Sequence, residues 1–118
     1  MGGVPQVSIV TSTYNRSAKL ARAIRSVRAQ RGCDDWEMCI VGDCTPDDSE
    51  AVVASFRDPR LRFHNLPVKS PAGGHGALAK NHALAHMTRA PLIAYLDDDD
   101  EYQPDFLRVM LAELAAHP

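Results

Sequence analysis

Cysteine is scarce in this chain. Cys33, Cys39 and Cys44 make three, an odd number with no paired framework. A disulfide scaffold is therefore not implied, and a reducing cytoplasm is the expected setting. No CxxC pair occurs, which removes the usual spacing of a structural zinc site. Cys39 reads as a core strand residue and the other two as free thiols. The opening Met1-Gly2-Gly3-Val4-Pro5 lacks the charged and apolar regions of a signal peptide. No apolar run is long enough to cross a bilayer. Neither sign of charge is in large excess. Thirteen basic residues face fifteen acidic ones, for a net charge of −2. That balance argues against a nucleic-acid partner, which would call for a basic chain. Internal repeats and low-complexity segments are also missing.

What remains is one domain's worth of chain: 118 residues, 45% of them apolar, enough to bury a real core. The elements alternate. Residues 7–10 form an apolar, partly β-branched run and predict a strand. The polar turn Thr11-Ser12-Thr13-Tyr14-Asn15-Arg16 follows. Ser17 then stands as the N-cap of a helix to about Arg31, with Leu20, Ile24 and Val27 at helical spacing and Gly32 as its stop. Residues 36–41 predict a second strand. After the loop from Gly42 to Asp48, a helix capped by Asp47 or Asp48 carries Val52, Val53 and Phe56, and Asp58-Pro59 ends it. Residues 61–64 alternate as a third strand. Residues 66–76 hold two prolines and three glycines and read as a mobile loop. A helix over 77–87 and a strand over 92–96 come next. Pro104 opens a last helix, with Asp105 near its positive end and Phe106, Leu107, Met110, Leu111 and Leu114 as its buried stripe. Such alternation predicts an α/β fold, a mostly parallel sheet with helices on both faces.

The strongest chemical signal is Asp97-Asp98-Asp99-Asp100, placed where the apolar run Leu92-Ile93-Ala94-Tyr95-Leu96 ends. Four like charges at the mouth of a buried strand repel one another. A hard divalent cation with oxygen ligands is the usual way to offset that. An EF-hand is excluded: counted from Asp97, its sixth and twelfth positions hold Tyr102 and Arg108 instead of Gly and Glu. Polar residues also follow the first strand (Thr13 to Arg16) and the second (Asp43). In a parallel sheet these ends share one edge, so the three segments should converge on one crevice. There Tyr14 offers a flat face to a base, Asp43 an acceptor for its N–H, and the aspartates a seat for a metal holding a diphosphate. Tyr14 packed on the first helix, Asp43 as a turn residue and His75 as plain loop are the alternative readings. A receiver-like phosphoacceptor domain would need acids after the first strand, and residues 11–16 contain none. His82 and His86 lie four apart on a predicted helix, but Ala83 stands where a metalloprotease needs Glu, so they read as helix-surface histidines.

Taken together, these segments resemble the family 2 glycosyltransferases, over nearly the whole chain from Val7 to about Leu114. Val7-Ser8-Ile9-Val10 with Thr13-Tyr14-Asn15-Arg16 is similar to the family's opening strand and turn. Ile40-Val41-Gly42-Asp43 with Asp47 is similar to its second-strand motif. Gly73-Gly74 through Lys80-Asn81 is similar to its glycine-rich loop and helix, and Leu96 to Asp100 with Pro104 to its DxD segment. The resemblance implies a Rossmann-like GT-A nucleotide-binding half and a nucleotide-sugar donor, UDP-linked by preference. In that frame Thr13 and Tyr14 border the base, Arg16 joins the nucleotide site, and Asp43 bonds the uracil ring. His75 or Lys80 supports base or diphosphate. Asp98 and Asp99 contact ribose or metal, and Asp98 and Asp100 hold Mn²⁺ or Mg²⁺. Ser12 stands where proline is common and Gly42 where an aspartate is frequent. Family members continue for roughly another domain beyond the point matching Pro118. The acceptor site and the general base are thus expected outside residues 1–118, and the acceptor stays unspecified. A non-catalytic module that folds and self-associates is the other expectation.

Overall fold

The computed structural model describes residues 3–71 and 76–117. Four strands and four helices alternate: β1 Val7–Thr13, α1 Ser17–Arg28, β2 Trp36–Gly42, α2 Ser49–Ser55, β3 Leu61–Asn65, α3 Ala77–His86, β4 Leu92–Tyr95 and α4 Phe106–Ala116. The strands form one parallel sheet in the order β3-β2-β1-β4. The chain steps outward from β1 through β2 to β3, then crosses back to place β4 on the other side of β1. Right-handed crossovers put the helices of the two directions on opposite faces. Accordingly α1 and α2 cover one face and α3 the other. The reversal between β1 and β4 is a topological switch point, and the strand ends there open a crevice.

The two faces are built differently. On the first, Val7, Ile9, Met38 and Ile40 pack under Leu20, Ile24 and Val27 of α1, Val53 of α2 and Leu107 of α4. On the second, Val10, Cys39 and Val41 meet Ala79, Ala83 and Met87. The alanines let α3 lie close to the sheet. Gly76 caps α3 with φ +76°, and a Cβ there would run into the Ser12 side chain, so this helix start touches the end of β1. At the opposite end of the strands, Glu37 is buried and accepts hydrogen bonds from Ser8, Arg62 and both the backbone and side chain of Arg89. Burial would raise its pKa, but the Ser8 and Arg89 hydrogen bonds and the Arg89 charge outweigh it and hold the carboxyl below its ordinary value.

Two expected stripes are less buried than their sequences suggest. In β4 only Ala94 is buried, while Ile93 and Tyr95 stay exposed because no element of the described chain covers that part of the second face. In α4 only Leu107 is fully buried; Met110 and Leu111 are half-buried, and Phe106 and Leu114 are exposed. The helix meets the core through its first turns and then runs past it. Helix α1 ends at Arg28 rather than Arg31, and its N-cap position is Arg16, with no side-chain cap.

Candidate nucleotide-binding site

The crevice outside β1, β2 and β4 has a volume of about 460 Å³. Thr13, Tyr14, Arg16, Asp43, Lys80, Asp98 and Asp99 all line it, joined by Ser12, Lys69, Ser70, Pro71, Gly76 and Asp97. His75 lies outside the described residues, as do Gly73 and Gly74 of the glycine-rich loop.

The turn after β1 is held by the loop after β2. The Asn15 N–H donates to Thr45 Oγ1 at 2.8 Å, and the Thr45 hydroxyl donates to Asp47 Oδ1 at 2.8 Å. Asp47 also accepts from the Ser17 N–H at 3.1 Å and from the Ser49 N–H and hydroxyl. One carboxylate thereby satisfies first-turn groups of both α1 and α2. It is Asp47 that plays this part; Asp48 occupies the N-cap position of α2 without a side-chain bond. Burial pushes the Asp47 carboxyl up, but the bonds from Ser49, Thr45 and Ser17 prevail and keep it low. Asn15 and Cys44 both take left-handed backbone angles, φ 55° and 53°, which tightens the two turns against each other. Tyr14 projects from this scaffold, partly exposed.

Asp43 is buried at the end of β2. Its Oδ1 accepts the Ser70 N–H at 2.9 Å, and its Oδ2 accepts the Ser70 hydroxyl and Lys69 Nζ, the latter at 3.0 Å. Burial acts to raise its pKa. The Ser70 bonds, then Lys69 by hydrogen bond and charge, reverse the effect and hold it below the ordinary carboxylate range, so the group is anionic at neutral pH. The same Lys69 ammonium lies 4.5 Å from the centre of the Tyr14 ring. Lys69 and Ser70 were not singled out in the sequence, where their segment reads as mobile. Pro67 and Pro71 bracket them and restrict that backbone, which is the one local signal that this loop holds a shape.

The four aspartates divide. Asp98 turns inward: it is buried and accepts the Thr13 hydroxyl at 2.9 Å and Arg16 at 3.4 Å. Asp97, Asp99 and Asp100 are exposed, and a carboxylate oxygen from each lies within 4.8 Å of the others. Successive residues of a turn cannot all face one point, and the buried Thr13 hydroxyl claims Asp98. Asp98 is expected beside Asp100 as a metal ligand, without Asp97; the geometry groups Asp100 with Asp97 and Asp99. Part of the like-charge repulsion is met by side chains. Arg16 reaches Asp99 at 3.3 Å as well as Asp98, and Lys80 Nζ stands 4.0 Å from Asp97. Arg16 and Lys80, expected near the nucleotide, therefore sit among the acids.

The segment after the aspartates is tied to α1. The Tyr102 N–H donates to Ser26 Oγ at 3.0 Å, and the Tyr102 hydroxyl donates to the Tyr95 carbonyl at 2.6 Å. Buried Gln30 donates to the Gln103 carbonyl at 2.6 Å and accepts the Leu107 N–H at 2.8 Å. These bonds close a bracket around the acidic turn.

Comparison with known proteins agrees with this geometry. The family model described as glycosyl transferase family 2 matches residues 8–118. The chain is 39% identical over 108 residues to the succinoglycan biosynthesis protein ExoO of Rhizobium meliloti, covering 92% of this chain and 29% of that protein. It is 34% identical over 110 residues to the putative colanic acid biosynthesis glycosyl transferase WcaA of Escherichia coli, covering 92% and 37%. Among solved structures, S. aureus TarS in complex with UDP superposes with a TM-score of 0.86 at 23% identity, over 95% of this chain and 32% of that one. The mannosyltransferase PcManGT of Pyrobaculum calidifontis, in complex with GDP-Man and Mn²⁺, gives 0.74 at 21% identity, over 98% and 34%. At such identities the likeness is one of fold, the GT-A fold. The chain spans about a third of the length of these relatives. With the family model matching residues 8–118, the chain belongs to glycosyl transferase family 2.

Proposed function

We propose that this crevice binds a nucleoside diphospho-sugar, with uridine as the nucleoside, for glycosyl transfer by the protein to which these residues belong. The observation that carries the reading is convergence. An aromatic face (Tyr14), a buried anionic acceptor (Asp43) and a carboxylate trio meet at the switch point of one parallel sheet. The crevice volume lies within the range of about 300–1,000 Å³ usual for small-ligand sites. Asp43 accepts the ring N–H of the base, exchanging or sharing the Lys69 and Ser70 donors that now occupy it. Tyr14 supplies a stacking surface, and Lys69 and Lys80 bring positive charge to the diphosphate. Guanine also offers N–H groups to a carboxylate. Uridine is favoured by the family resemblance and by the UDP complex of TarS.

The donor set fits a hard divalent cation, since three exposed carboxylates present oxygens within one coordination sphere's reach. Asp97, Asp99 and Asp100 would hold Mn²⁺ or Mg²⁺, which would stabilise negative charge on the departing diphosphate. Asp98, bound to Thr13 and Arg16, fixes the turn that presents the trio. The alternative, a non-catalytic module that self-associates, draws on the exposed Ile93 and Tyr95 of edge strand β4.

One titration separates the two. UDP is added calorimetrically with Mn²⁺ and again with EDTA, to the native chain and to Asp100→Ala. Metal-dependent binding that falls at least about tenfold in the variant, with circular dichroism unchanged, is the expected result. Equal, metal-independent binding by both chains would sink the site assignment. No binding by a folded chain would favour the self-associating module.

A further inference from the structure

Three histidines meet on the α3 face of the sheet, and none of them lines the crevice. His82 and His86 are four residues apart and share one side of α3. His64 comes from β3. It pairs in register with Val41, whose side chain packs under α3, so both point to that helix. The ring centres of His64 and His82 are 4.4 Å apart and the planes nearly parallel, at 9°. Those of His82 and His86 are 4.8 Å apart and tilted by 45°. His82 is half-buried between two exposed partners.

We propose that His64, His82 and His86 form a binding site for a borderline transition-metal ion, Zn²⁺, Ni²⁺ or Cu²⁺, that clamps α3 to β3. Two imidazoles on one tetrahedral ion, each bound at about 2.0–2.1 Å, have ring centres about 5 Å apart. The His82–His86 spacing lies within a few tenths of an ångström of that; the His64–His82 spacing is shorter, and its parallel stack cannot point both rings at one ion. The site therefore forms only when the exposed His64 ring turns out of its stack to bring a nitrogen to an ion held by His82 and His86. Two ligands at helical spacing and a third from the facing strand leave a fourth position for water. Burial first, then the neighbouring His64 and His86, keep His82 below the ordinary imidazole pKa, which favours the neutral ligand form. Nitrogen donors select these metals, whereas the carboxylate trio suits Mg²⁺ or Mn²⁺, so the two sites sort ions by chemistry. The clamp has a consequence for the crevice. Gly76, the N-cap of α3, and Lys80 within the helix both line it.

The test is a calorimetric titration of the untagged chain with Ni²⁺ while Mn²⁺ is held in excess. One equivalent of Ni²⁺ is expected to bind and to raise Tm. His64→Ala and His86→Ala should each weaken binding by about tenfold or more, while His117→Ala leaves it unchanged. His64→Gln, which keeps a polar side chain at the exposed position, guards against misfolding of the alanine variant and should show the same loss. Lack of binding up to millimolar Ni²⁺ would overturn the proposal. So would binding that survives in both His64→Ala and His86→Ala, since a stack that serves only packing would lower Tm in the variants without touching metal affinity.

Discussion

Gln30→Met removes one amide from under the acidic turn, and its effect can be worked from the bonds. The Gln30 carbonyl oxygen is the partner of the Leu107 N–H, in a residue that is fully buried at the first turn of α4. Asp105, at the N-cap, makes no side-chain cap bond, so the Gln30 side-chain amide, just past the end of α1, does the capping instead. Methionine has similar length and neither polar group. A buried donor left without a partner costs roughly 1–3 kcal/mol. The Gln103 carbonyl loses the Gln30 amide but keeps the Phe106 N–H at 3.0 Å, so its share is smaller. The bond to the Ser26 carbonyl, at 3.2 Å, is also lost. The total comes to about 2–4 kcal/mol on the same scale. For a chain of this size each kcal/mol moves Tm by roughly 4 °C, so Tm should fall by about 8–16 °C. Urea denaturation followed by circular dichroism gives the free energy directly. The backbone bond from Arg31 to the Pro104 carbonyl, 2.7 Å, remains, so α4 should loosen without detaching. Gln30→Glu keeps an acceptor for Leu107 but loses the donor to Gln103, and should fall between. A loss below about 1 kcal/mol in Gln30→Met would refute the reasoning, because the buried N–H would then have found another partner.

Two further outcomes follow from other parts of the structure. Asp58 is half-buried, its side chain only 7% exposed, and is bound by Arg60 at 3.0 and 2.9 Å and by Arg28 at 3.2 Å; the Arg60 bonds chiefly, against the effect of burial, lower its pKa to about 2. Because the folded value lies below the unfolded one, this group stabilises the fold above about pH 4, by roughly 2–3 kcal/mol, and the contribution disappears as pH falls toward 2. Unfolding free energies of the native chain and Asp58→Asn should converge between pH 6 and pH 2, and parallel curves would count against the assignment. Gly42→Ala would put a Cβ 2.6 Å from Asn65 Oδ1 and 2.9 Å from Thr45 Cγ2. Asn65 bonds both the N–H and the carbonyl of Thr45, so it cannot yield without disturbing the turn after Asp43. A loss of about 1–3 kcal/mol in urea denaturation is expected, and an unchanged midpoint would show that Asn65 moves freely.

The sequence by itself determined the alternation of four strands and four helices, because hydrophobic periodicity is local and each element writes its own period. It also determined that polar residues cluster where strands end, and with the family motifs that was enough to name the crevice. Exposure of Ile93, Tyr95, Phe106 and Leu114 was not legible, since an apolar pattern states what a face can bury and not what is present to cover it. Only the tertiary structure decided which aspartate turns inward. Asp98 and Asp100 look alike in sequence, but a buried Thr13 hydroxyl 85 residues earlier claims the first. The same holds for Lys69 and Ser70 on Asp43, for Gln30 under α4 and for His64 beside His82. Each of these pairings joins residues brought together by the crossover from β3 to β4 or by the layering of helices on the sheet. No spacing along the chain encodes such a meeting, because it depends on strand order and on which face each connection crosses.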